Sequence, residues 1–117
     1  MIVSVGRTLS ALRAFGKKMG VTANNVANVQ SEEFKKNRAV FKEGLRGDVQ
    51  VAIEKIDTPG DVISETTDGQ TVERELSNVD LAEELPQTII AQRGFEANLK
   101  IIQTQDEMLE NLIDIVT

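Results

Sequence analysis

The hydrophobic pattern is strongest near the end of the chain, over residues 81–116. From Leu81 to Val116, positions that alternate steps of four and three residues are mostly apolar, eight of eleven: 81, 85, 88, 92, 95, 99, 102, 106, 109, 113 and 116. A 3.5-residue repeat of this length is typical of an α-helix that lies against another helix. At 1.5 Å per residue the helix would be about 54 Å long, whereas a compact chain of this size has a radius of gyration of about 13 Å. The pattern therefore predicts a helix that needs a partner.

Residues just before this helix can close its first turn. Ser77, Asn78 and Asp80 offer side-chain oxygens to free backbone amides, and the Asp80 carboxylate suits the positive end of the helix dipole. Pro86 follows soon after and removes one backbone hydrogen bond. We expect a kink at Pro86. In the alternative, a short first piece ends at Leu85 and the main helix begins at Pro86.

A second stripe with the same period predicts another helix, from about residue 3 to residue 28. Gly6, Gly16 and Gly20 each cost this helix about 1 kcal/mol relative to Ala. The helix should therefore be weak alone and ordered mainly by what it packs against. Its seam positions are Ile2, Val5, Leu9, Leu12, Gly16, Met19, Ala23 and Val26.

Three asparagines, Asn24, Asn25 and Asn28, lie close together at the end of this first helix. Asn is a poor interior helix former because its amide competes for nearby backbone groups. In one interpretation the cluster caps the helix, with Asn28 in the left-handed conformation. In the other, the carboxamides bridge to a second chain. The spacing alone leaves both interpretations open.

The middle of the chain has weaker signals. Residues 31–46 are polar with isolated apolar positions, and we expect an irregular or extended connector there. Apolar and polar residues alternate over 49–54, which predicts a half-buried strand. A turn at Thr58-Pro59-Gly60 would let residues 62–66 return as a second strand. Asp68-Gly69 is a further hairpin signal.

These elements predict a mainly α fold with a small β insert. The long N- and C-terminal helices are expected to form a coiled coil and to be joined by a short β-hairpin region. The predicted organisation is one structural unit in three segments, residues 1–30, 31–77 and 78–117.

Composition removes most catalytic chemistry. The 117 residues include no Cys and no His, so the usual thiol nucleophile, neutral-pH base and transition-metal ligands are missing. Carboxylate pairs exist at Glu83–Glu84 and Asp106–Glu107, but adjacent helix residues point apart and no partner group accompanies them. We therefore expect no enzyme activity, no cofactor and no metal site.

Charge is distributed unevenly along the chain. Residues 1–47 contain nine Lys/Arg and three Asp/Glu, a balance of +6, and residues 48–117 contain four and sixteen, a balance of −12. The two parts should attract each other, within one chain or between neighbours. The net charge of −6 argues against nucleic acid as the main partner.

The first sixteen residues do not have the pattern of a secretory signal peptide. Arg7 and Arg13 interrupt their apolar positions, and a continuous apolar core and a cleavage site are missing. No run approaches the roughly 18 apolar residues of a membrane span. We expect no direct membrane insertion. If the protein is exported, we expect it to be exported without a cleaved signal peptide.

Two blocks of the sequence, one near each end, form a pair of motifs. Residues 23–30, A-N-N-V-A-N-V-Q, followed by Phe34-Lys35, resemble the N-terminal signature of the family of flagellar basal-body rod and hook proteins. Residues 89–109, I-I-A-Q-R-G-F-E-A-N-L-K-I-I-Q-T-Q-D-E-M-L, are similar to its C-terminal signature, and residues 78–81 resemble its lead-in. The chain departs from the family at Glu33, where a Gly is usual, and at Pro86. Its short β insert resembles the small proximal rod proteins (FlgC type) more than the distal rod or hook proteins.

The resemblance implies a structural subunit of the rod that polymerises through its terminal helices into the axial drive-shaft. It implies partners among copies of itself and other rod proteins, as a homo- or hetero-oligomer, and passage through the flagellar export apparatus without a cleaved signal. The implied location is the periplasmic rod of the basal body. The alternative hypothesis is a cytoplasmic coiled-coil adaptor or export chaperone.

The predicted subunit interface combines polar and apolar residues. The polar members follow from the resemblance and the apolar members from the two heptad stripes. They are Asn24, Asn25, Asn28, Gln92, Arg93 and Asn98, together with Leu9, Leu12, Phe95, Leu99, Ile102 and Leu109.

Overall fold

The computed structural model describes residues 2–117, with side chains from Ser4 onward, so the seam position at Ile2 lies outside the side chains described. Two long helices, one at each end of the chain, are joined by a segment that contains two β-hairpins. This confirms the mainly α fold with a small β insert. In chain order the elements are α1 (Ile2–Ala27), β1 (Asn37–Glu43), β2 (Val49–Lys55), β3 (Val62–Thr67), β4 (Gln70–Glu75) and α2 (Leu81–Val116).

Helix α2 begins where the capping residues indicate. Asp80 is the N-cap, and its carboxylate accepts a hydrogen bond of 2.9 Å from the backbone amide of Ala82. The helix continues through Pro86 to Val116, so the alternative of two separate pieces is wrong. The kink at Pro86 stays a prediction. None of the described helices contains a stretch long and apolar enough to cross a membrane.

The expectation for the first hairpin was wrong in two respects. The connector predicted over residues 31–46 contains β1, which pairs antiparallel with β2 from Asn37↔Lys55 to Glu43↔Val49. Strand β2 therefore does not pair with the strand that follows Thr58-Pro59-Gly60. The cause is a tertiary contact, because the Phe41 ring of β1 packs edge-to-face on Phe15 of α1, with ring centres 5.1 Å apart.

The second hairpin forms where Asp68-Gly69 predicted it. Strands β3 and β4 pair from Val62↔Glu75 to Thr67↔Gln70. Both turn residues have positive φ, 54° at Asp68 and 75° at Gly69. Positive φ at both central positions matches the turn whose twist suits a two-residue hairpin.

The two helices pack antiparallel along their length. Asn25 faces Glu84 at one end, Phe15 lies against Gly94 in the middle, and Ser4 contacts Gln105 at the other end. Small residues line the closest approach. Among the described side chains, the only fully buried apolar residues are Ala14, which is 2% exposed, and Ala91, which is 0% exposed.

Both helices are rotated relative to the predicted seam by about one residue. The inner face of α2 follows Glu84, Ala91 and Asn98, whereas the predicted stripe one residue later is largely exposed, with Leu85 at 55% and Leu99 at 47%. The reason is that Ala91 and Gly94 allow a closer approach of α1, where Phe15 lies, than the larger stripe residues would. The molecule measures 85 × 25 × 15 Å, with a radius of gyration of 21.2 Å.

Candidate assembly surface

The Asn25 side chain joins three elements at one end of the helix pair. Its amide group donates to the Asn37 carbonyl oxygen at 2.8 Å and to Glu84 Oε2 at 3.2 Å, and its oxygen accepts from the Asn37 amide at 3.0 Å. Asn25 is 1% exposed and Glu84 is 2% exposed. These bonds connect α1, β1 and α2, so the groups of Asn25 are used within one chain.

The other two asparagines of the cluster form local bonds. The Asn28 amide group donates to the Asn24 carbonyl oxygen at 2.8 Å, and Ser31 Oγ donates to Asn28 Oδ1 at 3.0 Å. Among the described non-glycine residues, positive φ occurs only at Glu33 and Asp68. The left-handed conformation expected for Asn28 is therefore wrong, although its side chain does cap the end of α1. Asn24 itself is exposed.

Glu83, in the first turn of α2, joins this helix to the segment that enters β1. Its carboxylate pairs with Arg38 and, at 2.9 Å, with Lys36 Nζ. Hydrogen bonds from Arg38 first and Lys36 second lower the pKa of Glu83 below its usual value, against a smaller opposing effect of burial. The predicted attraction between the basic and acidic parts of the sequence thus operates within the chain here.

Asn78 fixes the approach of the chain to α2. Its Oδ1 accepts from the Lys36 amide at 2.7 Å, and its amide group donates to the carbonyl oxygens of Ile56 and Thr58 at 2.8 and 2.9 Å. Nearby, Lys35 pairs with Glu75, whose pKa is lowered by hydrogen bonds from Lys35 and from the Gly60 amide. Asn78 therefore anchors the segment that leads into α2.

An exposed apolar ridge follows one side of the helix pair. Because both helices are rotated in the same sense, the two predicted stripes lie on the same side of the helix pair. A groove between the two helices on that side is bordered by Gly16, Met19 and Phe95. The ridge, which we call the outer ridge, consists of the exposed or half-buried residues Leu9, Gly16 and Met19 of α1 and Leu85, Phe95 and Leu99 of α2. An exposed apolar surface of this length is typical of a protein–protein contact.

The remaining predicted interface residues lie on or next to α2. Gln92 and Arg93 are exposed, and both side chains reach Glu96, at 3.1 and 3.5 Å. The half-buried Asn98 bonds to the carbonyl oxygen of Gly94 at 2.8 Å. Three apolar members of the prediction complete the set: Leu12 and Ile102 are half-buried, and Leu109 is exposed.

The last part of α2 contacts little else. Every residue from Asp106 to Val116 is exposed. The large apolar members of this stretch are Met108, Leu109, Leu112, Ile113, Ile115 and Val116. The helix is ordered here without any apolar side chain being buried in the described chain.

Sequence reasoning missed the buried contacts of Glu84 and Gly94. The sequence shows Glu84 only as one member of an adjacent carboxylate pair, and nothing in its spacing indicates that it faces Asn25. At Gly94, a Cβ atom would lie 2.3 Å from the Phe15 ring. A glycine inside a strongly helical pattern was the available signal, because it commonly marks a close approach.

One family model matches the chain, over residues 74–115, and its description is "Flagellar basal body rod FlgEFG protein C-terminal". The match covers α2 and the approach to it, including the predicted C-terminal signature. The N-terminal block at residues 23–30 lies outside the matched range, so its assignment stays a prediction.

Individual relatives match the chain over a similar number of residues. The chain is 54% identical over 41 residues to the flagellar basal-body rod protein FlgG of Bacillus subtilis, which is 35% of this chain and 16% of that protein. It is 51% identical over 39 residues to the flagellar hook protein FlgE of Borreliella burgdorferi, covering 33% of this chain and 9% of that protein. The FlgE hook protein of Escherichia coli is 46% identical over 41 residues, with 35% and 10% covered. The matched segments thus span less than a fifth of these relatives.

Proposed function

We propose, on the premise that this chain carries the C-terminal segment of the flagellar basal-body rod family, that it is a structural subunit of the flagellar rod. Its two terminal helices would polymerise with copies of itself or with other rod proteins to form the axial drive-shaft. The small insert between the helices supports a subunit of the proximal type. FlgG and FlgE, the relatives compared above, bear rod and hook names.

The observation that carries this proposal is the exposed apolar surface of α2, which includes part of the outer ridge. Helix α2 exposes thirteen large apolar residues, whereas the fully buried apolar side chains among those described are two alanines. Burial of apolar surface stabilises by about 25 cal/mol per Å², so the exposed side chains of α2 leave hydrophobic stabilisation unused. Association with further helices would recover it.

The proposed interface uses the residues predicted from the sequence that the structure leaves exposed. Leu9, Phe95 and Leu99 belong to the outer ridge, and Gln92 lines the groove beside Phe95. Arg93 is exposed elsewhere on α2. A contact between the ridge of one copy and a different surface of the next would be heterologous. Heterologous contacts repeated by rotation and translation give open helical assemblies rather than closed dimers.

The location of the protein in its native bacterium tests this proposal. We expect the protein in isolated basal bodies when the flagellar export apparatus is intact, and only in the cytoplasm when the apparatus is deleted. The double variant Leu85→Gln with Leu99→Gln should still be exported but should be lost from the basal bodies. A protein that stays cytoplasmic with an intact apparatus would contradict the proposal and support the adaptor or export chaperone.

A further inference from the structure

The charged residues at the end of α2, over residues 101–116, are all negative. This stretch contains four acidic residues and no Lys or Arg. At 100° per residue, Asp106, Glu110 and Asp114 form one row along the helix, and the row beside it contains Leu109 and Ile113. All five side chains are exposed. The C-terminal segment, as we call residues 101–116, is therefore an amphipathic acidic helix whose apolar row lies beside its acidic row.

The outer face of α1 has the complementary pattern. Arg13 and Lys17 form an exposed basic row, and neither makes an ion pair with any described residue. The row beside it contains Leu9, Gly16 and Gly20, and no atom lies within 4 Å of a Cβ built at either glycine. The face is therefore open on its apolar side, at Gly16 and Gly20, while its basic side borders strand β2, since Arg13 and Lys17 line a groove with Val49 and Val51.

We propose that the C-terminal segment of one copy packs antiparallel along the outer face of α1 of a second copy. Asp106 and Glu110 of the first copy lie beside Lys17 and Arg13 of the second, and Leu109 and Ile113 cover the row that contains Leu9 and Gly16. This inference rests on the proposed function and deepens it, because it names the contact that joins successive subunits.

The order of the rows determines the orientation. Each residue of a helix is rotated by 100° from the one before it, and we count angles in that direction. On both helices, the charged row lies at a larger angle than the apolar row beside it. When two helices face each other antiparallel, increasing angle leads to the same side on both, so that apolar meets apolar and acid meets base. In a parallel pair the directions oppose, and the acidic row of one helix would meet the apolar row of the other.

A second copy fits this site, whereas the same chain does not. The inner face of α1 is already occupied by its own α2, from Asn25 against Glu84 to Ser4 against Gln105. The continuous helix cannot turn back to reach the outer face of α1. The charge on the two faces is also opposite, which favours association of unlike surfaces on two copies.

The contact would shift successive copies along the helix axis. Within one chain, Phe15 of α1 lies opposite Gly94 of α2. Because the helices are antiparallel, Lys17 lies opposite Gln92. In the proposed contact Lys17 is level with Asp106 of the other copy, 14 residues further along α2 (106 − 92 = 14). At 1.5 Å per residue this is a shift of about 21 Å. A contact of this kind does not close, so it can repeat along an axis.

Charge reversal tests the contact. The variants Arg13→Glu with Lys17→Glu, and Asp106→Lys with Glu110→Lys, would each turn two attractions into two repulsions. At low salt each variant alone should need about tenfold more protein to associate. An equal mixture of the two should associate as the wild type does, because acidic and basic rows again face each other at every contact.

Matched controls carry the same changes of charge elsewhere. Lys42→Glu with Lys55→Glu, and Glu43→Lys with Glu73→Lys, alter exposed strand residues and should leave association unchanged. Circular dichroism of every variant shows whether the helices form. A folded reversal variant that associates normally, or a mixture that fails to recover, would overturn the inference. The proposed function would remain in either case, provided that the wild type associates.

Single reversals test the orientation. In the antiparallel contact Arg13→Glu should be rescued by mixing with Glu110→Lys and not with Asp106→Lys. Rescue by Asp106→Lys alone would indicate a parallel contact and overturn the inference. A wild-type protein that never associates at any concentration would contradict the proposed function, and this inference with it.

Discussion

Gly94 shows how a single residue determines the distance between the helices. A methyl group at this position would lie 2.3 Å from the Phe15 ring, and that ring is itself held against Phe41. The absence of a side chain therefore allows the close contact between α1 and α2. Gly20, in contrast, has no atom within 4 Å of its Cβ position and costs α1 helix stability without serving a contact in the described chain.

The variants Gly94→Ala and Gly20→Ala should have different effects on stability. Both gain about 1 kcal/mol of helix propensity, but Gly94→Ala must also displace the Phe15 ring, at a cost of about 1–3 kcal/mol. We expect Gly20→Ala to raise the free energy of unfolding and Gly94→Ala to fall about 1–3 kcal/mol below it. Urea unfolding of both variants at one protein concentration measures the difference. Equal stabilisation by the two substitutions would contradict the close packing at Gly94.

At the scale of elements, the ion pairs of Glu83 attach α2 to the β1–β2 hairpin. Hydrogen bonds from Arg38 and Lys36 lower the pKa of Glu83 in the folded chain below its value in the unfolded chain, where these partners are absent. A carboxylate whose pKa is lower in the folded state contributes stability above its unfolded pKa. That contribution is lost as the pH falls from about 5 through the lowered folded value.

The variant Glu83→Gln removes this pH-dependent contribution. We expect the wild type to be more stable near pH 7, by about 1 kcal/mol or less because the carboxylate is partly exposed to solvent. The difference should disappear as the pH falls below the folded pKa. Unfolding curves at pH 7, 5 and 3 measure it, and the double variant Arg38→Met with Lys36→Met should lose the same pH dependence. A difference that stays constant from pH 7 to pH 3 would contradict the assignment.

The elements that could be predicted are those determined by neighbouring residues. Asp68-Gly69 marked its hairpin because its turn chemistry is local, and Asp80 marked the start of α2 for the same reason. Strand β1 could not be predicted, because the contact of Phe41 with Phe15 joins residues far apart in sequence. The rotation of the helices was missed for a similar reason, since it depends on Gly94 facing Phe15.

The same distinction applies to the candidate surface. The heptad stripes identified Leu9, Phe95 and Leu99 as contact residues, and the structure leaves all three exposed. Their role between subunits stays a prediction. Asn25 was placed in the same set, and its hydrogen bonds instead join parts of one chain. A heptad pattern shows which residues need a partner, but it does not show whether that partner is the same chain.

At the scale of the whole molecule, the shape explains the need for association. The radius of gyration is 21.2 Å, compared with about 13 Å for a compact chain of this length. An elongated pair of helices has too little interior to bury its own apolar residues. The outer ridge and the C-terminal segment are the surfaces that remain.

Sedimentation of the purified chain over a wide range of concentration, together with circular dichroism, tests the central claim most directly. We predict that helical content and sedimentation coefficient rise together in the wild type. The double variant Leu85→Gln with Leu99→Gln should associate only at higher protein concentration, and Ile63→Thr with Val72→Thr, which removes exposed apolar residues from the β3–β4 hairpin, should behave as the wild type does. A wild-type chain that is fully helical and monomeric at every concentration would contradict the claim that the outer ridge is covered by other subunits.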